Sequence, residues 1–228
     1  MDWNHFDECY QEMKIVLRDI VSKNGKNRYK LELYGHYLDY RDEIKIIVGR
    51  IETETQDFMA LNTKVDKMIQ ENLEPDNEFI GILRHLDMLR LDIKSFFIFT
   101  RIFLDTLARI VRLRFDKRSS ELPDSMVDLL ENKTLVELDP EFAKGLKNRM
   151  FWMDTFVERR VEFEHYLGSI NSTTTKDGKL GFDILGSKIL SGTHRVESIA
   201  SYIESVLSNL ADSISYISNW FCSRQGLH

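Results

Sequence analysis

Apolar residues that recur every three or four positions are the feature that most constrains the fold of this chain. Near the start they are Trp3, Phe6, Tyr10, Met13, Leu17 and Ile20, a spacing that puts them on one face of a helix. The same spacing recurs at Ile44, Ile47, Ile51, Thr55, Phe58, Val65 and Met68; at Leu86, Leu89, Ile93, Phe97, Leu104, Leu107 and Val111; at Phe142, Leu146, Met150, Met153 and Val157; and at Val196, Ile199, Ile203, Val206, Leu210, Ile214, Ile217 and Phe221. Glycine and proline are scarce, at 11 and 3 of 228 residues. The pattern predicts an all-α fold, an up-and-down bundle of long helices.

Local signals predict where these helices begin and end. The first helix ends near Gly25, and a second long helix follows a tyrosine-rich piece, "YKLELYGHYLDY". Pro75 and the capping residues after it start a third helix. A short helix is expected around Pro123 to Leu130, and Asp139 before Pro140 starts a helix that runs on past residue 158.

The chain changes character after Gly168. Residues Thr173 to Thr175 are β-branched, Asp177-Gly178 is a turn signal, and apolar residues alternate from Leu180 onward. This pattern predicts a small β-hairpin at about residues 171–185, inserted before the last helix.

Composition excludes several classes of protein. Cys9 and Cys222 lie near opposite ends of the chain, which argues against a disulfide framework or a structural zinc site and favours the cytoplasm. The acidic N-terminus does not resemble a secretory signal. The most apolar segment, "SFFIFTRIFLDTLARIV", is interrupted by Arg101, Asp105 and Arg109, so no membrane span is expected.

The net charge of −6 disfavours a dedicated binder of duplex DNA. Positive charge is nevertheless concentrated in the middle third, at Arg109 to Arg118, Lys144 to Arg149, Arg159 and Arg160. These runs are either solvated helix faces or a small patch that faces phosphate.

The segment "ERRVEFEHYLG", Glu158 to Gly168, contains the main candidate site. As a plain helix end it would place His165 near the buried face and pair Arg160 with Glu164. Glu162 and His165 also have the spacing of one half of a di-iron site, but the second half and its further glutamates are missing, so no metal or other cofactor is expected.

Arg160, four intervening residues and His165 match the Arg-x(4–6)-His motif, and the segment resembles the HEPN superfamily of small all-helical domains. Arg159, with five intervening residues, fits as well. The long apolar helix before the motif is similar to those of bacterial HEPN-like proteins. The resemblance covers about residues 76–168 and assigns neither the N-terminal helices nor the hairpin. The expected division of the chain is an N-terminal part of helices at 1–75 that packs on the bundle, and a HEPN-like helical domain at 76–228 that includes the hairpin.

Many members of this family are metal-independent ribonucleases, and the resemblance implies the same chemistry here. His165 would act as general base or acid toward an RNA 2′-hydroxyl, since imidazole titrates near neutrality. Arg160 would bind the phosphate and stabilise its developing charge. The resemblance also implies a homodimer with the site at its cleft, and toxin–antitoxin or phage-defence systems, with an antitoxin-like protein partner, as the setting.

Helix geometry restricts how these two residues can cooperate. At about 100° per residue, Arg160 and His165 would point about 140° apart on a regular helix. A shared phosphate therefore requires either a break between them or a cleft reached from two sides.

Arg101, Asp105 and Arg109 follow one another at four-residue spacing in an apolar helix. They form either a structural Arg–Asp–Arg ladder or a supporting, phosphate-binding set in which Asp105 orients Arg160 or His165.

For the whole protein, two other functions remain open: a non-catalytic HEPN-like module that binds nucleotide, RNA or protein, and a helical scaffold that recruits a protein partner.

Overall fold

The computed structural model describes residues 3–23, 27–165, 173–174, 180–182 and 197–225. These residues form eight α-helices, one 3₁₀-helix and three short strands. The helices are α1 (Asn4–Lys23), α2 (Arg28–Gln70), α3 (Asp76–Arg112), the 3₁₀-helix (Leu113–Glu121), α4 (Met126–Leu130), α5 (Lys133–Leu138), α6 (Pro140–Arg149), α7 (Met153–His165) and α8 (Ile199–Gln225). The predicted all-α class is confirmed, and no helix of the described residues is long and apolar enough to cross a membrane.

The chain forms two compact units, each assembled from separate stretches of sequence. The first comprises Met1–Glu43, Phe99–Val157 and Glu204–His228, and the second comprises Ile44–Ile98 and Glu158–Ile203. Four helices, α2, α3, α7 and α8, contribute residues to both. The predicted division into 1–75 and 76–228 stays a prediction.

The buried faces follow the predicted periodicity. All seven apolar residues assigned to the inner face of α3 are buried: Leu86, Leu89, Ile93, Phe97, Leu104, Leu107 and Val111. The same holds for the described members of the stripe on α8, from Ile199 to Phe221. Hydrophobic burial along these faces therefore determines which side of each helix points inward.

In the first unit, an aromatic cluster joins α1, α2 and α3. Tyr37 is fully buried and its ring stacks on Tyr10 at 4.8 Å and on Phe103 at 5.3 Å. Its hydroxyl donates a hydrogen bond to the carbonyl of Tyr10, at 3.2 Å. Tyr37 belongs to the tyrosine-rich piece, which was expected to precede the second helix. That expectation was wrong, because Leu33, Tyr37 and Ile44 are buried at helical spacing and α2 begins at Arg28.

The start of α6 is held by Asp139, as predicted. Its Oδ1 accepts a hydrogen bond from the backbone N–H of Phe142 at 3.1 Å, and its Oδ2 accepts one from the indole Nε1 of Trp220 on α8 at 2.9 Å. Trp220 and Phe142 stack with ring centroids 3.8 Å apart. One carboxylate therefore caps α6 and attaches it to α8.

The single helix expected from Pro140 past residue 158 is two helices. A turn at residues 150–152 separates α6 from α7, and within it the N–H of Met153 bonds the carbonyl of Met150 at 2.9 Å. Phe151 is exposed at this turn, while Trp152 is buried. The interruption keeps the three- and four-residue spacing of the apolar stripe, so the stripe does not reveal it.

Three short strands in the second unit confirm the predicted hairpin and extend it. β1 (Thr173–Thr174) pairs antiparallel with β2 (Leu180–Phe182), with Thr173 opposite Gly181 and Thr174 opposite Leu180. β3 (Glu197–Ser198) pairs with the other edge of β2, an addition that the sequence pattern did not predict. The predicted turn at Asp177-Gly178 lies outside the described residues.

Ion pairs connect α2 and α3 in the second unit. They join Arg50 to Asp92, Glu54 to His85 and Lys64 to Glu78. The last two have nitrogen–oxygen distances of 2.7 Å. Asp92 is fully buried, so its partner matters most for stability.

Candidate functional site

The two motif residues lie on α7, which is helical without interruption from Met153 to His165. Arg160 precedes His165 by five residues, which corresponds to about 7.5 Å along the helix axis and about 140° around it. A break between them, one of the two predicted ways of sharing a phosphate, is therefore absent. The remaining way is a cleft reached from two sides.

Arg159 and Arg160 are both partly exposed, and both interact with other residues of the protein. They belong to the second unit, together with His165. The side chains of Glu164 and His165 lie outside the described part of the chain, so the predicted pair of Arg160 with Glu164 stays a prediction.

Arg101 and Asp105 on α3 are brought together, and both contact the start of α4. The Nε of Arg101 donates to Oδ2 of Asp105 at 3.2 Å, and another of its nitrogens donates to the hydroxyl of Ser125 at 2.7 Å. Oδ1 of Asp105 accepts the backbone N–H of Met126, the first residue of α4, at 2.9 Å. The side chain of Ser125 does not cap this helix. Asp105 caps α4 in place of Ser125. A partly buried carboxylate suits this structural role, because it accepts strong hydrogen bonds from the backbone N–H groups at a helix start.

Arg109 is placed differently from the other two. The ion pair of Arg109 is with Asp124, at 4.0 Å, and Asp124 also pairs with Arg112. Arg112 in turn donates from its Nε to the carbonyl of Ser119 at 2.8 Å. Of the expected Arg101–Asp105–Arg109 ladder, the first pair is present, whereas Arg109 joins a second cluster that holds the 3₁₀-helix.

The basic run from Lys144 to Arg149 borders a groove of about 530 Å³ in the first unit. Val136, Pro140 and Ala143 are among its apolar lining residues, and its charged lining residues are Lys133, Lys144, Lys147, Glu131 and Glu137. Lys147 is paired with Glu131 at 2.7 Å. Neither Lys133 nor Lys144 has an ion-pair partner among the described residues. With three lysines against two glutamates in its lining, the groove keeps a small net positive charge, which favours an anionic ligand.

Lys133 is a candidate that the sequence reading missed, because the helix that carries it was not predicted. The signal was present: Asn132 is the N-cap of α5 and its side chain accepts the N–H of Leu135 at 3.0 Å. Asparagine three residues before a buried leucine is a typical helix start.

Within the residues that the structure describes, no group of three or more histidine, cysteine, aspartate or glutamate side chains could hold a metal ion. The two members of the considered di-iron half-site, Glu162 and His165, have side chains outside that description.

Comparison with protein-family models, with curated proteins and with solved structures finds no match to this chain. The resemblance to the HEPN superfamily therefore stays a prediction.

Proposed function

We propose that this protein is a HEPN-like, metal-independent endoribonuclease that acts as a homodimer in the cytoplasm, with Arg160 and His165 in a composite site. The observation that supports the proposal is the unbroken α7, on which positions 160 and 165 lie about 140° apart around the helix axis. One helix cannot direct both side chains at one phosphate. A two-fold axis beside α7 would bring Arg160 of one protomer opposite His165 of the other.

The chemistry assigned to these residues is a transesterification within RNA. His165 removes the proton of a 2′-hydroxyl, whose oxygen attacks the adjacent phosphorus. The bond from phosphorus to the 5′-oxygen of the next nucleotide breaks, and that oxygen receives a proton. The products are a 2′,3′-cyclic phosphate and a 5′-hydroxyl, and water is not consumed.

The arginines supply charge where the reaction develops it. Arg160 donates hydrogen bonds to the non-bridging phosphate oxygens, which become more negative in the transition state. Arg159, its neighbour on α7, adds attraction for the RNA backbone. Arg101, Asp105 and Arg109 support the fold through α4 and the 3₁₀-helix in this proposal, rather than contacting RNA.

The test is RNA cleavage by the purified protein in the presence of EDTA. Single-stranded and structured RNA are supplied together, and the parent is compared with His165→Ala and Arg160→Ala. His36→Ala and Arg18→Ala are matched controls, because both residues are exposed and lie on other helices.

The proposal expects the parent and both controls to cleave. His165→Ala and Arg160→Ala should each lose at least about a hundredfold in rate, in line with the loss of a general base or of an oxyanion donor. Product analysis should find cyclic phosphate ends. An inactive parent, or a His165→Ala protein as active as the parent, would refute it.

The basic groove supports a second candidate function, a non-catalytic module that binds RNA or nucleotide. Lys133 and Lys144, for which the described part of the chain shows no ion-pair partner, line this groove together with Glu137 and several apolar residues. The small net positive charge of the lining suits an anionic ligand. This function predicts RNA binding without cleavage, weakened by Lys133→Glu with Lys144→Glu and unchanged by His165→Ala.

An antitoxin-like protein partner is part of the first proposal, and co-purification with a neighbouring gene product would test it.

A further inference from the structure

The turn between α6 and α7 presents one aromatic side chain to solvent. Phe151 is 74% exposed, whereas its neighbours Met150 and Trp152 are 2% and 7% exposed. Backbone hydrogen bonds fix the turn on both sides of Phe151: the N–H of Met150 donates to the carbonyl of Leu146 at 2.9 Å, and the N–H of Met153 donates to the carbonyl of Met150 at 2.9 Å. Burial of the two flanking side chains therefore holds Phe151 outward at a defined place in the first unit.

Phe151 lies at the end of the basic groove. Pro140, Lys144 and Lys147 line the groove from α6, at positions i, i+4 and i+7, and Phe151 is position i+11 of the same series. The hydrogen bonding of α6 continues to Met150, its C-cap, so the series holds up to the residue before Phe151. From Lys147 to Phe151 the chain advances about 6 Å along the helix axis.

Positive charge accompanies the groove as far as this ring. Between Lys144 and Met153 the chain has three cations, Lys144, Lys147 and Arg149, and no acid. The ion pair of Lys147 with Glu131 joins two side chains that are more than half exposed. A surface pair of this kind contributes little, so a ligand phosphate can replace the carboxylate of Glu131.

Cations in a row beside an exposed aromatic ring are the combination with which proteins bind single-stranded nucleic acid. The cations attract the phosphate backbone, and the bases stack on the ring. Stacking on a side chain requires an unpaired base whose face is free, which single strands offer and the interior of a duplex does not.

We infer that Phe151 is a stacking platform that makes the basic groove selective for single-stranded RNA. The backbone phosphates lie along Lys144 and Lys147, and an unpaired base stacks on the ring of Phe151. This inference rests on the second candidate function, RNA binding in the groove, and adds to it the class of strand and the residue that selects it.

The test is the binding of labelled 2′-O-methyl RNA, measured by fluorescence anisotropy. This RNA lacks the free 2′-hydroxyl that the proposed cleavage uses, so the full chain can be titrated while the ligand stays intact. The single strand is compared with the same strand annealed to its complement and with the same strand lacking bases at alternate positions.

The variants separate the ring from the lysines. Phe151→Ala removes the ring, and Phe151→Tyr keeps an aromatic face. Phe79→Ala is the matched control, because Phe79 is 46% exposed and lies on α3. Lys133→Glu with Lys144→Glu measures the contribution of the groove itself. Circular dichroism on every variant verifies that helix content is retained.

The inference expects the parent to bind the intact single strand about tenfold or more tightly than the other two forms. Phe151→Ala should raise the dissociation constant for that strand about tenfold or more, in line with the loss of a stacked base, and should leave the other two values unchanged. Phe151→Tyr and Phe79→Ala should bind like the parent, and the lysine reversal should weaken binding of every form.

The results distinguish the failure of this inference from the failure of the groove function. If the lysine reversal weakens binding but Phe151→Ala binds the single strand as tightly as the parent, the stacking role is wrong and the groove function stands. An equal loss on all three forms would overturn the stacking role as well. If no form binds the parent, or the lysine reversal has no effect, the groove function is wrong and the inference falls with it.

Discussion

Replacing Asp139 should reveal how much one carboxylate contributes to the first unit. Asp139 is 2% exposed and Trp220 is 8% exposed, so the hydrogen bond between them is made away from water. The same carboxylate caps α6 through the N–H of Phe142. Asp139→Ala removes both interactions at once.

The magnitude follows from these two contacts. Loss of a helix N-cap costs about 1 kcal/mol. Leaving the indole N–H of Trp220 buried without an acceptor costs about 1–3 kcal/mol more. We therefore expect the free energy of unfolding to fall by about 2–4 kcal/mol. Asp139→Asn keeps a capping oxygen and should be less destabilising.

Urea denaturation, followed by far-UV circular dichroism, measures the effect. A double-mutant cycle with Trp220→Phe isolates the contact between the two side chains, and we expect a coupling of about 1.5–3 kcal/mol for a hydrogen bond to a charged acceptor. If the two substitutions were additive, or if Asp139→Ala left stability within about 0.5 kcal/mol of the parent, the proposed role of Asp139 would be wrong.

Two further predictions concern buried groups. Arg50→Ala should lower the free energy of unfolding by about 3 kcal/mol, because it leaves the fully buried carboxylate of Asp92 unpaired. The control Arg28→Ala removes an exposed pair with Glu32 and should have no measurable effect in the same urea titration. Equal effects of the two substitutions would contradict the argument. Burial, reinforced by the carboxylate of Glu12, raises the pKa of Cys9, whereas Cys222 is partly exposed. In native protein at pH 8, a chromogenic disulfide should react with Cys222 quickly and with Cys9 only after unfolding, since the protonated thiol is unreactive. Rapid reaction of both thiols would show that Cys9 is not held buried and protonated.

The sequence predicted the helical class and the inward faces because apolar periodicity is a local signal with a direct physical cause. Residues such as Leu89 and Ile214 lie at spacings that only a helix places on one side, and both are fully buried. Asp139 before Pro140 was readable for a similar reason, since capping depends on adjacent residues.

Features that depend on tertiary contacts were not readable. The break at residues 150–152 preserves the apolar spacing, so the period does not change there. No glycine or proline in the turn indicates the break either. The start of α2 at Arg28 depends on burial of Tyr37 against Phe103, residues far apart in sequence. Asp105 caps α4 from another helix, which its own surroundings in the sequence could not indicate.

The candidate site was predicted only as a motif and a spacing. The sequence identified Arg160 and His165 and the angle between them, and the unbroken α7 removes one of the two expected arrangements.

The measurement that tests the composite site most directly is subunit mixing. Arg160→Ala and His165→Ala proteins are each assayed for RNA cleavage in EDTA, then mixed in equal amounts, allowed to exchange subunits and assayed again. A mixed dimer has one complete site, formed by Arg160 of one protomer and His165 of the other. Random exchange makes about half of the dimers mixed, so we expect about a quarter of the parent activity from two inactive proteins. A mixture that stays inactive after exchange, beside an active parent, would contradict the account.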